Sequence, residues 1–156
     1  MKNALRDALV ALLRADLEIL DRAQASAREA ATHEEAKPEN DKDTRALEAS
    51  YLARGQSLRI EELKVGVAEV EAMRLRTFAP GDPAALGALV DVDEGGVPQR
   101  FFLSPHGGGK RVGEPAVAVV TTKSPLGKAL LGLREGDECE VVLAGKTRAF
   151  SITRVT

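Results

Sequence analysis

Five carboxylates crowd one bend of the chain, Glu34, Glu35, Glu39, Asp41 and Asp43, with only Lys37 and Lys42 against them. Carboxylate oxygens are hard donors, and Mg²⁺ typically takes one or two of them while its other positions go to water and phosphate. A solvated turn has the same composition, because Asp and Asn favour turns for their own hydrogen bonding. Both readings stand at this level. In the first, the bend supplies only half a site. It has no cavity of its own, so its carboxylates would act in trans, inserted into a macromolecule that holds the phosphates and the remaining ligands.

Other chemistry-bearing residues give less. His106-Gly-Gly-Gly-Lys110 suggests a phosphate cradle, because Gly-rich backbone beside a Lys can bind phosphate. The Walker pattern, however, needs Gly where Ser104 stands and Ser or Thr where Arg111 stands, so the expectation is a flexible loop between strands. Cys139 alternates with Val141 and Leu143, which makes it a core thiol rather than a nucleophile. His33 and His106 have no companions at zinc-ligand spacing, and no Ser-His-Asp or Cys-His set can be assembled.

The bend must be positioned by the elements on either side of it. From Asn3 to about Thr32 there is neither Pro nor Gly, and Leu5, Leu9, Leu12, Ile19, Ala23, Ser26 and Ala30 recur at helical spacing. Leu13, Leu17 and Leu20 add a neighbouring stripe, which widens the apolar face. A second run, Ala46, Ala49, Ala53, Gln56, Ile60, Leu63, Val67 and Val70, has the same period. Each predicted helix is about 42 Å long. Pro38 disfavours helix at Lys37, so the chain reverses there. The result is an antiparallel coiled coil over residues 1–78, with its tip at about 33–44. Small seam residues near the tip bury little area, which predicts a thin distal half.

Phe78-Ala-Pro-Gly-Asp-Pro83 reads as a linker. Beyond it, β-rich runs at 88–93, 100–104, 116–122, 138–143 and 148–155 alternate with Gly and Pro turns. Ser124-Pro-Leu-Gly-Lys-Ala-Leu-Leu-Gly132 has a Ser cap, Pro at the first helical position and Gly near the end, so it predicts a short helix. The fold class is α+β, a long N-terminal coiled coil followed by a compact C-terminal α+β domain over 79–156.

Composition narrows the function. The chain has 156 residues, 22 Lys and Arg against 24 Asp and Glu, and a net charge of −2. No bulk positive field exists to hold duplex nucleic acid by counterion release. Aromatic residues make up 3% with no Trp, which leaves little to grip flat ligands. The lone Cys139 forms no internal disulfide, and charges at Arg6, Asp7, Arg14, Asp16 and Glu18 break any export-type apolar run. The expectation is a cytoplasmic protein with no membrane partner.

Lys37-Pro-Glu-Asn40 resembles the Lys-Glu-Asn or Ser-Glu-Asn element at the coiled-coil tip of the Gre transcript-cleavage factor family, GreA and GreB. Ser124-Pro-Leu-Gly-Lys-Ala-Leu-Leu-Gly132, followed by Glu135-Gly-Asp137 and a hairpin containing Gly145, is similar to that family's C-terminal signature. The resemblance covers nearly the whole chain. It implies an FKBP-like C-terminal domain that docks on RNA polymerase, and a coiled coil that enters the secondary channel. Polymerase then cleaves its own backtracked RNA, with the tip helping to hold a Mg²⁺ that the polymerase active site supplies. The factor has no cofactor of its own and is not itself an enzyme.

Carried over residue by residue, the resemblance makes Glu39 the tip acid for metal or water positioning. The family's second acid falls at Ala36, so Glu35 and then Asp41 are its substitutes, and the family's Tyr after the Asn has no match here. Lys37, Lys42, Arg45 and Arg54 are candidates to meet the nascent RNA 3′ end. Ser124, Pro125 and Leu126 match the region implicated in gripping polymerase. A monomer is expected. The altered tip makes a channel-occupying modulator or inhibitor without cleavage stimulation the main competitor. A prolyl isomerase finds only Phe101, Phe102 and Phe150 to line a site in the C-terminal half, and a purely structural coiled-coil adaptor would require that polymerase binding be absent.

Overall fold

Two long helices occupy the N-terminal half and a mixed sheet the C-terminal half. The computed structural model describes residues 1–35 and 43–156, with side chains described outside 31–46. Helix α1 spans Lys2–Glu35 and α2 spans Asp43–Ala72. Strands β1 (Leu89–Glu94), β2 (Val97–Ser104), β3 (Arg111–Val112) and β4 (Val117–Thr121) follow, then α3 (Pro125–Leu130), β5 (Glu138–Leu143) and β6 (Lys146–Val155). The expected α+β class, a helical pair before a sheet domain, is what is observed.

The helices run antiparallel: Gln24 Nε2 donates to Ser57 Oγ at 2.7 Å, and Arg14 pairs with Glu71 nearer the base. On α2 the base half of the expected seam is observed, with Ile60, Val67 and Val70 buried and Gln56 and Leu63 partly buried, whereas Ala49 and Ala53, expected in the same seam, are not covered. On α1 it departs from the expectation. Leu5, Leu9, Val10 and Leu13 are buried and continue through half-buried Leu17, Leu20 and Gln24, whereas Leu12 is 39% and Ile19 66% exposed. Two packed helices share a narrow seam, so only one of two neighbouring apolar stripes can face the partner. The stripe that ends on Gln24, which Ser57 can satisfy, takes that place. Ala49 and Ala53 stay exposed, so the described distal half is thin, as the small residues predict.

The six strands lie in the order β3-β4-β2-β1-β6-β5. Only β2 and β4 pair in parallel; β1 pairs antiparallel with both β2 and β6, and β5 with β6. Strand alternation gives the sheet two apolar faces. One carries Val90, Val92, Phe101, Leu103, Val120, Phe150 and Ile152 under α3, with Phe101 and Phe150 edge-on at 6.1 Å between ring centres. The other carries Leu89, Phe102, Val112, Val117 and Val119, and it is covered by the bases of α1 and α2 through Leu5, Leu9, Val10, Leu13, Val67 and Val70. Helical rod and sheet therefore share one core.

The segment read as a linker is packed rather than free. Phe78 is buried in the α3-side core, Asp82 accepts from the Ala79 amide at 2.9 Å, and Arg134 donates to the Gly81 carbonyl. The helix ends at Ala72, before either proline, and the Phe78 ring ahead of Pro80 and Pro83 gives the turn something to bury. The five expected strands are all present, and β3, two residues long, is too short to show an alternation in sequence.

Candidate functional site

The short helix α3 is built by local hydrogen bonding. Ser124 sits at its N-cap in an extended conformation, and its Oγ accepts from the Gly127 amide at 3.1 Å while donating to the Thr121 carbonyl at 2.8 Å. One hydroxyl thus caps the helix and ties it to the end of β4. Pro125 fits the first turn, where its missing N–H is not needed. Gly127 follows from steric necessity, because a Cβ there would lie 1.8 Å from the Thr121 carbonyl oxygen. Leu130 is fully buried and Leu126 packs partly against the same core, which leaves Pro125, Lys123 and Lys128 on the outside. The product is a rigid corner presenting a proline ring and two lysines, suited to docking against an apolar and acidic surface.

Of the three residues expected to grip a partner, Pro125 is exposed, while Ser124 and Leu126 are half-buried and serve the corner's own structure. Thr121 escaped the sequence reading. Its carbonyl both receives the Ser124 hydroxyl and makes Gly127 obligatory, a relationship that only the turn geometry exposes.

The tip residues Glu39, Asp41, Lys37 and Lys42 lie outside the described residues. Glu35 closes α1 and Arg45 falls in the first turn of α2, but their side chains are likewise outside the described ones. Arg54 is exposed on α2, three turns from that helix's start. Among the described residues no group of three or more His, Cys, Asp or Glu side chains is placed to hold a metal ion. Burial raises the Cys139 thiol above its ordinary value, and the side chain packs with Val141 and Leu143 as a core residue. Among the described residues no helix is long and apolar enough to cross a membrane.

The glycine run after β2, read as a flexible loop, instead clamps the rod to the sheet. His106 Nε2 lies 2.7 Å from Glu69 Oε2 on α2, and Lys110 Nζ lies 2.5 Å from Asp16 Oδ2 on α1. Gly107, at φ 88°, passes so close to α1 that a Cβ would sit 2.6 Å from Leu9 Cδ1. Only glycine combines that backbone conformation with that approach. The sequence signal was present, since His and Lys at the two ends of a glycine run are anchors that such a loop can bring close to another backbone.

Residues 109–156 match the family model described as "Transcription elongation factor, GreA/GreB, C-term". The chain is 32% identical over 100 residues to transcription elongation factor GreA of Rhodospirillum rubrum, a match that takes in 62% of this chain and 60% of that one. Among solved structures, GreA factor homolog 1 (Gfh1) of Thermus thermophilus is 19% identical with a TM-score of 0.42, covering 96% of this chain and 95% of its own. The GreA/GreB factor of Nitrosomonas europaea is 20% identical with a TM-score of 0.40, covering 62% of this chain and 78% of its own. Residues 109–156 are thus similar to the C-terminal domain of the GreA/GreB transcription elongation factors, and the chain spans less than two thirds of the curated relative it matches.

Proposed function

We propose that the chain is a transcription elongation factor that docks on RNA polymerase through the Ser124–Leu130 corner, extends its helical pair into the secondary channel and stimulates cleavage of backtracked nascent RNA. The observation that carries this reading is the corner itself. It lies inside the segment that matches the GreA/GreB C-terminal domain, and it holds Pro125, Lys123 and Lys128 outward on a scaffold fixed by Ser124 and Gly127. The rod rooted in the same core supplies reach, with 34 residues in α1 giving about 50 Å.

The tip donors suit the metal this reading needs. Glu39, Glu35 and Asp41 offer only carboxylate oxygens, the hard ligands that Mg²⁺ prefers. A Mg²⁺ held between the tip and polymerase supplies charge stabilisation for the attacking or leaving oxygen of an in-line displacement. In this reading Glu39 would contribute a ligand and accept a hydrogen bond from the attacking water, and Lys37, Lys42, Arg45 and Arg54 would meet the RNA 3′ segment. The bond-breaking chemistry belongs to polymerase.

Ala36, standing where the resembling family has its second acid, favours a second reading: a factor that occupies the channel and modulates polymerase without stimulating cleavage. RNA release from a stalled, backtracked elongation complex with Mg²⁺ separates the two. Short 3′ fragments with the wild type but not with Glu39→Ala support the cleavage factor. Binding without fragments supports the modulator, and no binding to polymerase overturns both.

A further inference from the structure

Helix α2 carries a second apolar stripe that is exposed among the described residues. Leu47, Tyr51, Leu58 and Val65 are 57%, 65%, 59% and 50% exposed. With 3.6 residues per turn they fall within about 40° of arc and run about 27 Å along the helix. The seam that meets α1, through Gln56, Ile60, Leu63, Val67 and Val70, lies on the opposite side, so α1 cannot reach the stripe. Charged residues flank it, Arg54 and Glu61 along one edge and Glu62 and Glu69 along the other. Arg54 makes no ion pair among the described residues, and Glu61 makes only an exposed contact with Lys64 at 3.4 Å.

The order of residues along this face is self-complementary. Tyr51 and Val65 lie seven residues to either side of Leu58, and Arg54 and Glu61, of opposite sign, lie four before and three after it. We propose that this face pairs with its counterpart on a second copy of the chain, antiparallel and centred on Leu58. A two-fold interface requires that if residue i meets residue j, then j meets i. Such pairing sets Leu58 on Leu58, Tyr51 on Val65 of the other copy and Arg54 within one residue of the level of Glu61 twice, while Leu47 comes to the level of Glu69, beyond the self-complementary stretch. A parallel arrangement would oppose Arg54 to Arg54 and Glu61 to Glu61, which like-charge repulsion disfavours. One helix face is small beside a standard interface, so the dimer is weak and concentration-dependent. Pairing closes one side of the rod and therefore competes with its insertion into a larger macromolecule.

Sedimentation equilibrium of the full chain, from micromolar to millimolar, tests this. The expected result is a mass that rises from 16.6 kDa toward twice that value for the wild type and stays at one chain for Leu58→Glu. Arg54→Glu alone and Glu61→Arg alone each weaken pairing by about tenfold, and the double reversal restores it. Circular dichroism of each variant should match the wild type, since all three positions are exposed on a helix. A single-chain mass at every wild-type concentration overturns the proposal. So does a dimer indifferent to Leu58→Glu, or a double reversal that pairs no better than the single variants.

Discussion

The imidazole of His106 packs against Gly66, so close that a Cβ on Gly66 would sit 3.0 Å from His106 Cγ and 3.1 Å from Nδ1. The pairing explains a glycine inside a 30-residue helix, where glycine costs about 1 kcal/mol relative to alanine. Gly66→Leu should expel the ring, break its contact with Glu69 and destabilise the fold by about 1–3 kcal/mol. Gly66→Ala sets a smaller clash against a gain in helix propensity and should change stability far less. Urea unfolding of both variants checks the ordering, and equal stabilities would show that the ring does not need the gap.

The α3 corner makes a sharper steric demand. Gly127→Ala places a methyl 1.8 Å from the Thr121 carbonyl oxygen, backbone that cannot yield without moving β4. The expected loss is about 3 kcal/mol or more. Ser124→Ala removes the cap and the hydroxyl's bond to the Thr121 carbonyl without a steric clash and should cost about 1–2 kcal/mol. If the corner is the docking surface, Lys123→Glu and Lys128→Glu should weaken polymerase binding while leaving the melting temperature unchanged.

Leu9 joins both halves of the molecule, being fully buried between α1, α2 and the sheet and touched by the Gly107 loop. Leu9→Ala should destabilise by about 2–5 kcal/mol. Ile19→Ala, on the exposed stripe of the same helix, should stay within about 0.5 kcal/mol of wild type. Thermal melts of the pair test the seam seen here against the one that the sequence spacing favoured.

Glu39→Ala should abolish stimulated RNA cleavage with little change in polymerase affinity, and Ala36→Asp should increase it. Fragment release and a competition binding assay, run on the same preparations, check both. Cleavage that survives Glu39→Ala would remove this residue from the metal-positioning role.

Acid should act on the sheet through Glu94. Arg148 donates to both of its carboxylate oxygens, at 2.6 and 2.5 Å, and with Gln99 holds the carboxyl below its ordinary value. A depressed carboxylate contributes stability that is fully present above its unfolded value and is lost as pH falls through the folded one. Glu94→Gln should therefore be less stable than wild type at pH 7, and the gap should close toward pH 3. A gap independent of pH would show that the ion pair contributes nothing specific.

Much of the fold was legible because its periods are strong. The 138–143 strand matched residue for residue, and the Ser124–Gly132 helix announced itself by cap, proline and glycine. The α1 seam was misjudged because Leu12 and Ile19 are as apolar as Leu13 and Leu20, and hydropathy cannot tell which stripe a partner will cover. The glycine loop was misjudged for a similar reason. Glycine signals freedom in the unfolded chain and close approach in the folded one, and only the position of Leu9 decides between them. Of the candidate site, the corner was readable from local rules, whereas the tip's role rests on chemistry in another macromolecule.

The root of the helical rod has a mechanical consequence. It is clamped on both helices, at Asp16 by Lys110 and at Glu69 by His106, above a shared apolar core, while its described outer half is joined by little more than small side chains. The rod is thus a tapered cantilever, stiff at the fixed end and compliant outward. A load at the far end bends the outer beam first and reaches the sheet as torque on those two contacts and on the apolar core beneath them. The base sets the aim, and the outer half absorbs the fit.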